Sequence, residues 1–304
     1  MDSNKFRLVL ALLLVSALCG CKDSSDDKSD EFVNKNEEII VVVEQDEIED
    51  NSDKIASSEE EFSGSYEGDI TEKGKLVVLD PGHQIKGNSD TEQIGPGAQE
   101  KKPKVSSGTQ GVVSGLKEYE LNLNVALKLR DVLESRGYEV VMTRETNDVD
   151  ISNSERAEIA NNLNADAFVR IHANGDNSPS RVGMMTICQT KNNPYCADTY
   201  NECFALSSCI LDAMVESTGA NKEYVWETDT MSGINWCKIP TTIVEMGYMT
   251  NEKEDKLLAS DDYQNAIAEG IANGIDLFFE GNYSLNEGTE EVNKEVVETS
   301  MKEE

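Results

Sequence analysis

The chain is poor in positive charge: 27 basic residues stand against 59 acidic ones across 304 positions, a formal net charge of −32. Binding to nucleic acid by counterion release needs clustered lysine and arginine, so nucleic acid is not expected as a partner. Long apolar runs are missing as well. The one candidate, residues 8–18, is about half of the ~20 residues that a membrane-spanning helix requires, which argues against a permanent transmembrane segment. No internal repeat is visible, and histidine is scarce, with His83 and His172 the only two.

Aromatic residues are few between positions 22 and 73, where Ser, Asp and Glu recur. That stretch offers too little apolar surface to offset the entropy of ordering it, so it reads as a disordered acidic linker. Residues 281–304 repeat the same character and read as a disordered acidic tail. The interval 74–280 remains, about the size of one compact domain. Residues 1–21 carry Lys5 and Arg7, then the apolar run, then Leu18-Cys19-Gly20-Cys21, the order of a secretion signal.

Within 74–280 helix and strand patterns alternate. Leu76-Val77-Val78-Leu79 is a short buried-strand run that ends at Asp80-Pro81-Gly82, and a long Gly-, Ser- and Lys-rich loop follows as far as Leu116. Apolar spacing predicts a helix over 119–135 closed by Gly137, and a strand over 138–143. Ser152 with Glu155 is a capping-box signature for a helix through about 163. Further strands are expected at 167–171, 182–189 and 241–244, and helices at 197–216 and 261–279. This alternation predicts an α/β fold: a three-layer α/β/α domain with a mostly parallel twisted sheet flanked by helices.

Both histidines are expected directly after strands, as is Glu245, while Glu118 stands at the start of the first long helix. Ligand crevices of open parallel sheets lie at the carboxyl ends of strands, so His83, His172 and Glu245 converge in this reading. Two neutral imidazoles and a carboxylate form a catalytic zinc set with a fourth position open to water. Glu118 and Glu120 are both candidates for a further ligand, and spacing does not choose between them.

Four segments resemble the zinc-dependent N-acetylmuramoyl-L-alanine amidases of bacterial cell walls. They are Val77-Val78-Leu79-Asp80-Pro81-Gly82-His83, Leu116-Lys117-Glu118-Tyr119-Glu120-Leu121-Asn122-Leu123, Arg170-Ile171-His172-Ala173-Asn174 and Ile243-Val244-Glu245-Met246-Gly247-Tyr248-Met249-Thr250-Asn251. With Thr143-Arg144 and Glu155-Arg156 the similarity spans nearly all of 75–279. The resemblance implies one Zn2+ held by His83, Glu118 and His172, with Glu245 catalytic and Glu118 preferred over Glu120. Asn174, Arg144 and Arg156 are then expected to touch substrate or to support the ligands. The implied reaction is hydrolysis of the amide between N-acetylmuramic acid and L-alanine in peptidoglycan. A zinc peptidase cutting within the stem peptide, or a wall-binding lipoprotein without catalysis, are the alternatives.

The chain departs from the pattern in places. Gln84 stands where many members have Gly, the loop 84–116 is longer than expected, and no wall-binding repeat is recognisable. The segment 188–237, with Trp226 and Trp236, is poorly covered by the motifs and is a candidate substrate-contacting lid. It also holds Cys188, Cys196, Cys203, Cys209 and Cys237, an odd number for which disulfides and buried free thiols remain open. The end of the apolar run resembles the lipobox of bacterial lipoproteins, which implies acylation of Cys21 and a monomer anchored to the outer face of the cell membrane, with the linker giving reach. Cys21→Ala is expected to release the protein into the medium in a membrane-fractionation experiment; continued retention would reject the anchor.

Overall fold

In the computed structural model, residues 74–281 are described. The expectations for the signal, Cys21, the linker and all but the first residue of the tail lie outside them. Strands β1 (Leu76–Pro81), β2 (Asn88–Gln93) and β3 (Lys101–Val105) precede helix α1 (Glu118–Ser135). Then come β4 (Glu139–Met142), α2 (Asn153–Asn162), β5 (Ala167–Asn174), β6 (Met184–Cys188), a 3-10 turn (Ala197–Thr199) and α3 (Tyr200–Thr218). The chain continues through β7 (Lys222–Glu227), α4 (Ser232–Asn235), β8 (Thr241–Tyr248), α5 (Glu252–Leu258) and α6 (Asp261–Phe279). Among the described residues no helix is long and apolar enough to cross a membrane.

The expected α/β layering is present. A six-stranded sheet has the order β4-β1-β5-β8-β6-β7. The first four strands run parallel, β6 is antiparallel to β8, and β7 is parallel to β6, so the sheet is mixed rather than uniformly parallel. Side chains alternate between its faces. Val77, Leu79, Val169, Ile171, Val244 and Met246 point into the main core against α1, α3 and α6. Val78 and Phe168 point the other way, onto Ala157 and Ala160 of α2, while Ile187 and Ile243 meet Ile234 of α4.

Local signals match their structures. The Ser152–Glu155 box closes reciprocally, Glu155 N donating to Ser152 Oγ at 3.3 Å and Ser152 N to Glu155 Oε2 at 2.7 Å. Gly137 takes φ +90° just after α1, the left-handed turn that a Cβ disfavours. Where α3 and α6 pack, two glycines permit backbone contact. A Cβ on Gly274 would sit 2.4 Å from Ile210 Cα, and one on Gly270 would sit 2.7 Å from Met214 Cα.

The expected long loop contains the antiparallel pair β2 and β3. Its strand alternation is hidden because nearly all of the pair's residues are polar and only Val105 is buried; tertiary contacts hold it. Glu92 accepts from Ser154 N and Oγ on α2 and from Ser232 Oγ on α4, and Trp236 Nε1 donates to Gln93 O. Most of the segment 188–237 is scaffold rather than lid, since it contains α3, whose Cys203, Leu206, Ile210 and Met214 are buried, and the edge strand β7; Met231, Ser232 and Gly233 near its end line a cavity with His83, His172 and Glu245. All five described cysteines are free and buried. Gly274→Ala is expected to overpack the α3/α6 contact and lower stability by roughly 1–3 kcal/mol, measurable as a drop in melting temperature.

Candidate metal centre

The sheet brings the predicted site together at the carboxyl ends of β1, β5 and β8. His172 and Glu245 do not follow their strands, as the sequence reading had it. Each lies within one, and they are register partners across β5 and β8, so their side chains share a face. The strands extend further than expected because pairing between neighbours continues past the apolar runs. His83 lies two residues beyond β1, in the left-handed region at φ +59°, a conformation that costs on the order of 1–3 kcal/mol in a residue with a side chain. Glu118 is the first residue of α1 and is buried.

Three donor atoms converge. His83 Nε2 lies 2.9 Å and His172 Nδ1 3.2 Å from the same oxygen, Glu118 Oε1, and the two ring nitrogens are 3.1 Å apart. His83 Nδ1 faces Ser106 O at 2.9 Å, a contact that orients the ring. The ligand atoms of His83, Glu118 and His172 all lie within 4.8 Å of one another, and these three form the one group among the described residues that could hold a metal ion. Burial, first, drops the His172 pKa to about 4, outweighing the hydrogen bond to Glu118, so the ring is neutral as a ligand must be. For Glu118, burial pushes upward, but hydrogen bonds and charge from both histidines outweigh it and hold the carboxyl well below the usual range. Its other oxygen accepts Thr109 N at 2.8 Å.

Glu245 is half-buried, and its Oε2, itself shielded from solvent, has no hydrogen-bond partner. Burial foremost, with the nearby Glu118 charge, raises its pKa well above that of an ordinary carboxylate. His83, Glu118, His172, Asn174 and Glu245 all line an open cleft of about 580 Å³. Asn174 Oδ1 accepts Gly175 N, and its amide faces Met185 Sδ. A second cavity of about 290 Å³ shares His83, His172 and Glu245 and continues to Lys102 on β3, Met231 and Ile243. The β2/β3 pair therefore forms one wall of the site, which is how the long insertion reshapes its mouth.

Arg144 and Arg156 are buried and turned toward the backbone that carries His83. Arg144 donates to Pro81 O at 2.8 Å, Gly82 O at 3.0 Å and Tyr119 O at 2.8 Å. Arg156 donates to Pro81 O at 2.9 Å, His83 O at 3.1 Å and Gln84 Oε1 at 3.0 Å. These two arginines support the ligand turn and do not reach the cleft. Gln84, in place of the expected Gly, also accepts Ile151 N and donates to Lys86 O. Gly82 is required by contact, because a Cβ there would lie 2.1 Å from the His172 ring.

Sequence reasoning passed over two members of the site. Ser106, which orients His83, lies in a polar stretch with no signal. Asp80 had one, an acid closing an otherwise apolar strand. It is fully buried between Arg156 Nη1 at 2.7 Å and Arg170 Nε at 2.8 Å, with Thr143 Oγ1 at 2.6 Å. Burial raises its pKa, yet the two arginines and Thr143 together outweigh this and hold it far below the usual range. Its folded-state pKa thus lies below the unfolded one, so the stabilisation is full at neutral pH and drains as pH falls through about 4 and lower. Asp80→Asn is expected to cost roughly 3–5 kcal/mol by leaving buried guanidiniums unpaired, with a shallower loss of stability at acid pH in denaturation curves.

The comparisons agree with this geometry. The chain matches the family model described as N-acetylmuramoyl-L-alanine amidase over residues 77–276. It is 29% identical over 208 residues to an uncharacterized Bacillus subtilis protein, YqiI, covering 68% of this chain and 86% of that one. It is 26% identical over 211 residues to the probable cell wall amidase LytH of Staphylococcus aureus, covering 68% and 59% of the two chains. Among solved structures, the amidase Ami1 of Mycobacterium smegmatis aligns with a TM-score of 0.62 at 25% identity, over 69% of this chain and 98% of that one. The amidase AmiC2 of Nostoc punctiforme aligns with a TM-score of 0.54 at 30% identity, over 68% and 99%. A match to the family over two hundred residues, on a fold that brings these four motifs together, means that this chain belongs to the N-acetylmuramoyl-L-alanine amidase family.

Proposed function

We propose that the protein is a zinc-dependent amidase that hydrolyses the bond between N-acetylmuramic acid and the L-alanine of the stem peptide in peptidoglycan. The observation that carries this reading is the convergence of His83 Nε2, His172 Nδ1 and Glu118 Oε1 beside the carboxyl of Glu245. Two neutral imidazoles and one carboxylate suit Zn2+, and three protein ligands leave room for water or substrate. When bound, zinc supplies Lewis acidity that polarises the scissile carbonyl and acidifies water.

The chain's own groups supply the rest. Glu245 takes the proton of the attacking water and returns it to the departing amine of L-alanine, so carbonyl carbon and nitrogen separate with no net proton change at the enzyme. A carboxyl with a raised pKa suits this double duty, because it holds the proton between the two transfers. Arg144 and Arg156 fix the turn that presents His83, and Ser106 O orients that ring. Asn174, on the rim of the cleft, is positioned to meet the substrate.

In this proposal the catalytic domain is 74–280, exported by the signal in 1–21 and acting as a monomer outside the cell. The acylated Cys21 holds it at the membrane, and the acidic linker 22–73 lets the domain reach the wall.

Glu245→Gln is expected to keep zinc and the melting temperature while losing roughly 10²–10⁴-fold in turnover; full activity would remove Glu245 from its role. His83→Ala and His172→Ala are each expected to lose zinc by elemental analysis, and unchanged content would remove them as ligands. Mass spectrometry of digested muropeptides locates the bond, since a cut inside the stem peptide would replace the amidase reading with a peptidase.

A further inference from the structure

The metal centre opens on two cavities of different character. The larger cleft, about 580 Å³, is walled beyond the centre itself by polar groups such as Thr109, Asn174, Asp176 and Asn177. The smaller, about 290 Å³, is lined beside His83, His172 and Glu245 by Lys102, Arg170, Met231, Ile187 and Ile243. Its volume lies near the lower end of the ~300–1,000 Å³ usual for ligand pockets, which suits a short peptide segment.

Charge sets the smaller cavity apart. The chain carries a net charge of −32, yet among the described residues Glu245 is the only acid in this lining, and two cations stand with it. Lys102, on β3, is half-buried, donates to Thr230 O at 2.5 Å and forms no ion pair among the described residues. Its register partner Glu92 commits its carboxylate to Ser154 and Ser232. Burial lowers the Lys102 pKa against the pull of Glu100 and Glu92, the mark of a cation partly stripped of water. Arg170 keeps Nε on Asp80 and Nη2 on Asn153, and Nη1 is engaged by neither. Gly233 leaves that nitrogen room, since a Cβ there would lie 2.0 Å from it. Two guanidiniums share the single carboxylate of Asp80, so that buried cluster keeps a net positive charge.

A cavity of this kind favours an anion, because a charge-assisted hydrogen bond replaces the water that the cations have lost. The proposed reaction supplies one at matching range. Arg170 lies two residues before His172 on β5 and pairs with Ile243, two before Glu245 on β8. Two strand steps are about 7 Å. Glu245 protonates the departing alanine nitrogen in the proposed mechanism, and a carboxylate on the following residue sits about two residue lengths, again ~7 Å, from that nitrogen. Ile187, Ile243 and Met231 offer the alanine methyl an apolar floor between the two ends.

We propose that this cavity receives the departing peptide and that Lys102 selects it by binding a carboxylate on the residue after the alanine, with Arg170 adding positive charge. The inference rests on the amidase reading for which side of the bond is peptide. Lys102 belongs to the β2/β3 insertion, so the part of the chain that departs from the family pattern carries the substrate preference.

The test uses the full chain and the free dipeptide L-alanyl-D-glutamate, which holds no bond for the amidase to cut, so binding is measured apart from activity. In methyl NMR spectra the dipeptide is expected to shift Ile187 and Ile243, and its diamide should bind roughly ten-fold more weakly. In Lys102→Gln the acid and the diamide should bind alike, and Lys102→Arg should restore the preference for the acid. A Lys102 that only ties the insertion to Thr230 would weaken both peptides together, and that result would overturn the proposal. So would unshifted isoleucine methyls in wild type, equal binding of acid and diamide by wild type, or shifts of these methyls by N-acetylmuramic acid in place of the peptide. Unchanged melting temperatures establish that the variants fold. If the acid binds as expected but muramoyl peptides are left uncut, the amidase reading fails and the acidic-peptide site stands.

Discussion

Asp80 sits in the dry interior at the end of β1, its two oxygens held by Arg156 and Arg170. A carboxylate alone in that position would be strongly destabilising; paired with two guanidiniums and the Thr143 hydroxyl it becomes a fixed point. Arg156 then reaches onward to the carbonyls of Pro81 and His83, and Arg144 to those of Pro81 and Gly82. The turn that carries the first histidine is thereby determined by charge and hydrogen bonding on every side. That arrangement can sustain a left-handed His83, whose backbone would otherwise relax and swing the imidazole away from Glu118.

The second histidine is placed by different means. His172 belongs to a strand, so sheet pairing sets its direction, and the absence of a side chain on Gly82 leaves room for its ring. Glu118 is placed by the start of α1 and by backbone donors from Thr109 and Ala173. Three unrelated devices thus deliver three ligand atoms to one point: a clamped turn, a strand and a helix terminus. Each is rigid for its own reason, and that rigidity keeps the donors converged without relying on a single flexible loop.

On the opposite side of the site, the β2/β3 pair gives this chain a wall built from polar residues. Glu92 reaches both α2 and α4, and Asn153 Nδ2 and Trp236 Nε1 add hydrogen bonds to Lys104 O and Gln93 O. The wall closes one flank of the cleft, while Ile234 of α4 and Cys196 cover the sheet face at Ile187 and Ile243. Cleft shape in this protein is therefore set by an insertion with little core of its own, attached by hydrogen bonds to a scaffold that does not need it for its apolar packing.

Much of the architecture was legible in the sequence. The apolar run at β1, the 3.6-residue spacing of α1, the Ser152–Glu155 box and the limits of α6 each report a local preference that the tertiary structure leaves intact. The four candidate site residues were legible because the two histidines are the chain's only ones and all four fall within recognisable motifs. Other features came only from the folded chain. The polar β2 and β3 have no alternation that separates them from a loop, and the antiparallel turn of β6 leaves no mark in its own residues, since a fully buried strand reads alike in either direction. The inward direction of Arg144 and Arg156 depends on which carbonyls the fold leaves without partners, and the common face of Glu245 and Trp226 depends on the register of three strands far apart in the chain. Sequence determined most of the elements and the candidate site residues, because those follow from neighbours along the chain; where the side chains meet was decided by pairing across the sheet, because that is a contest among distant segments for one shared interior.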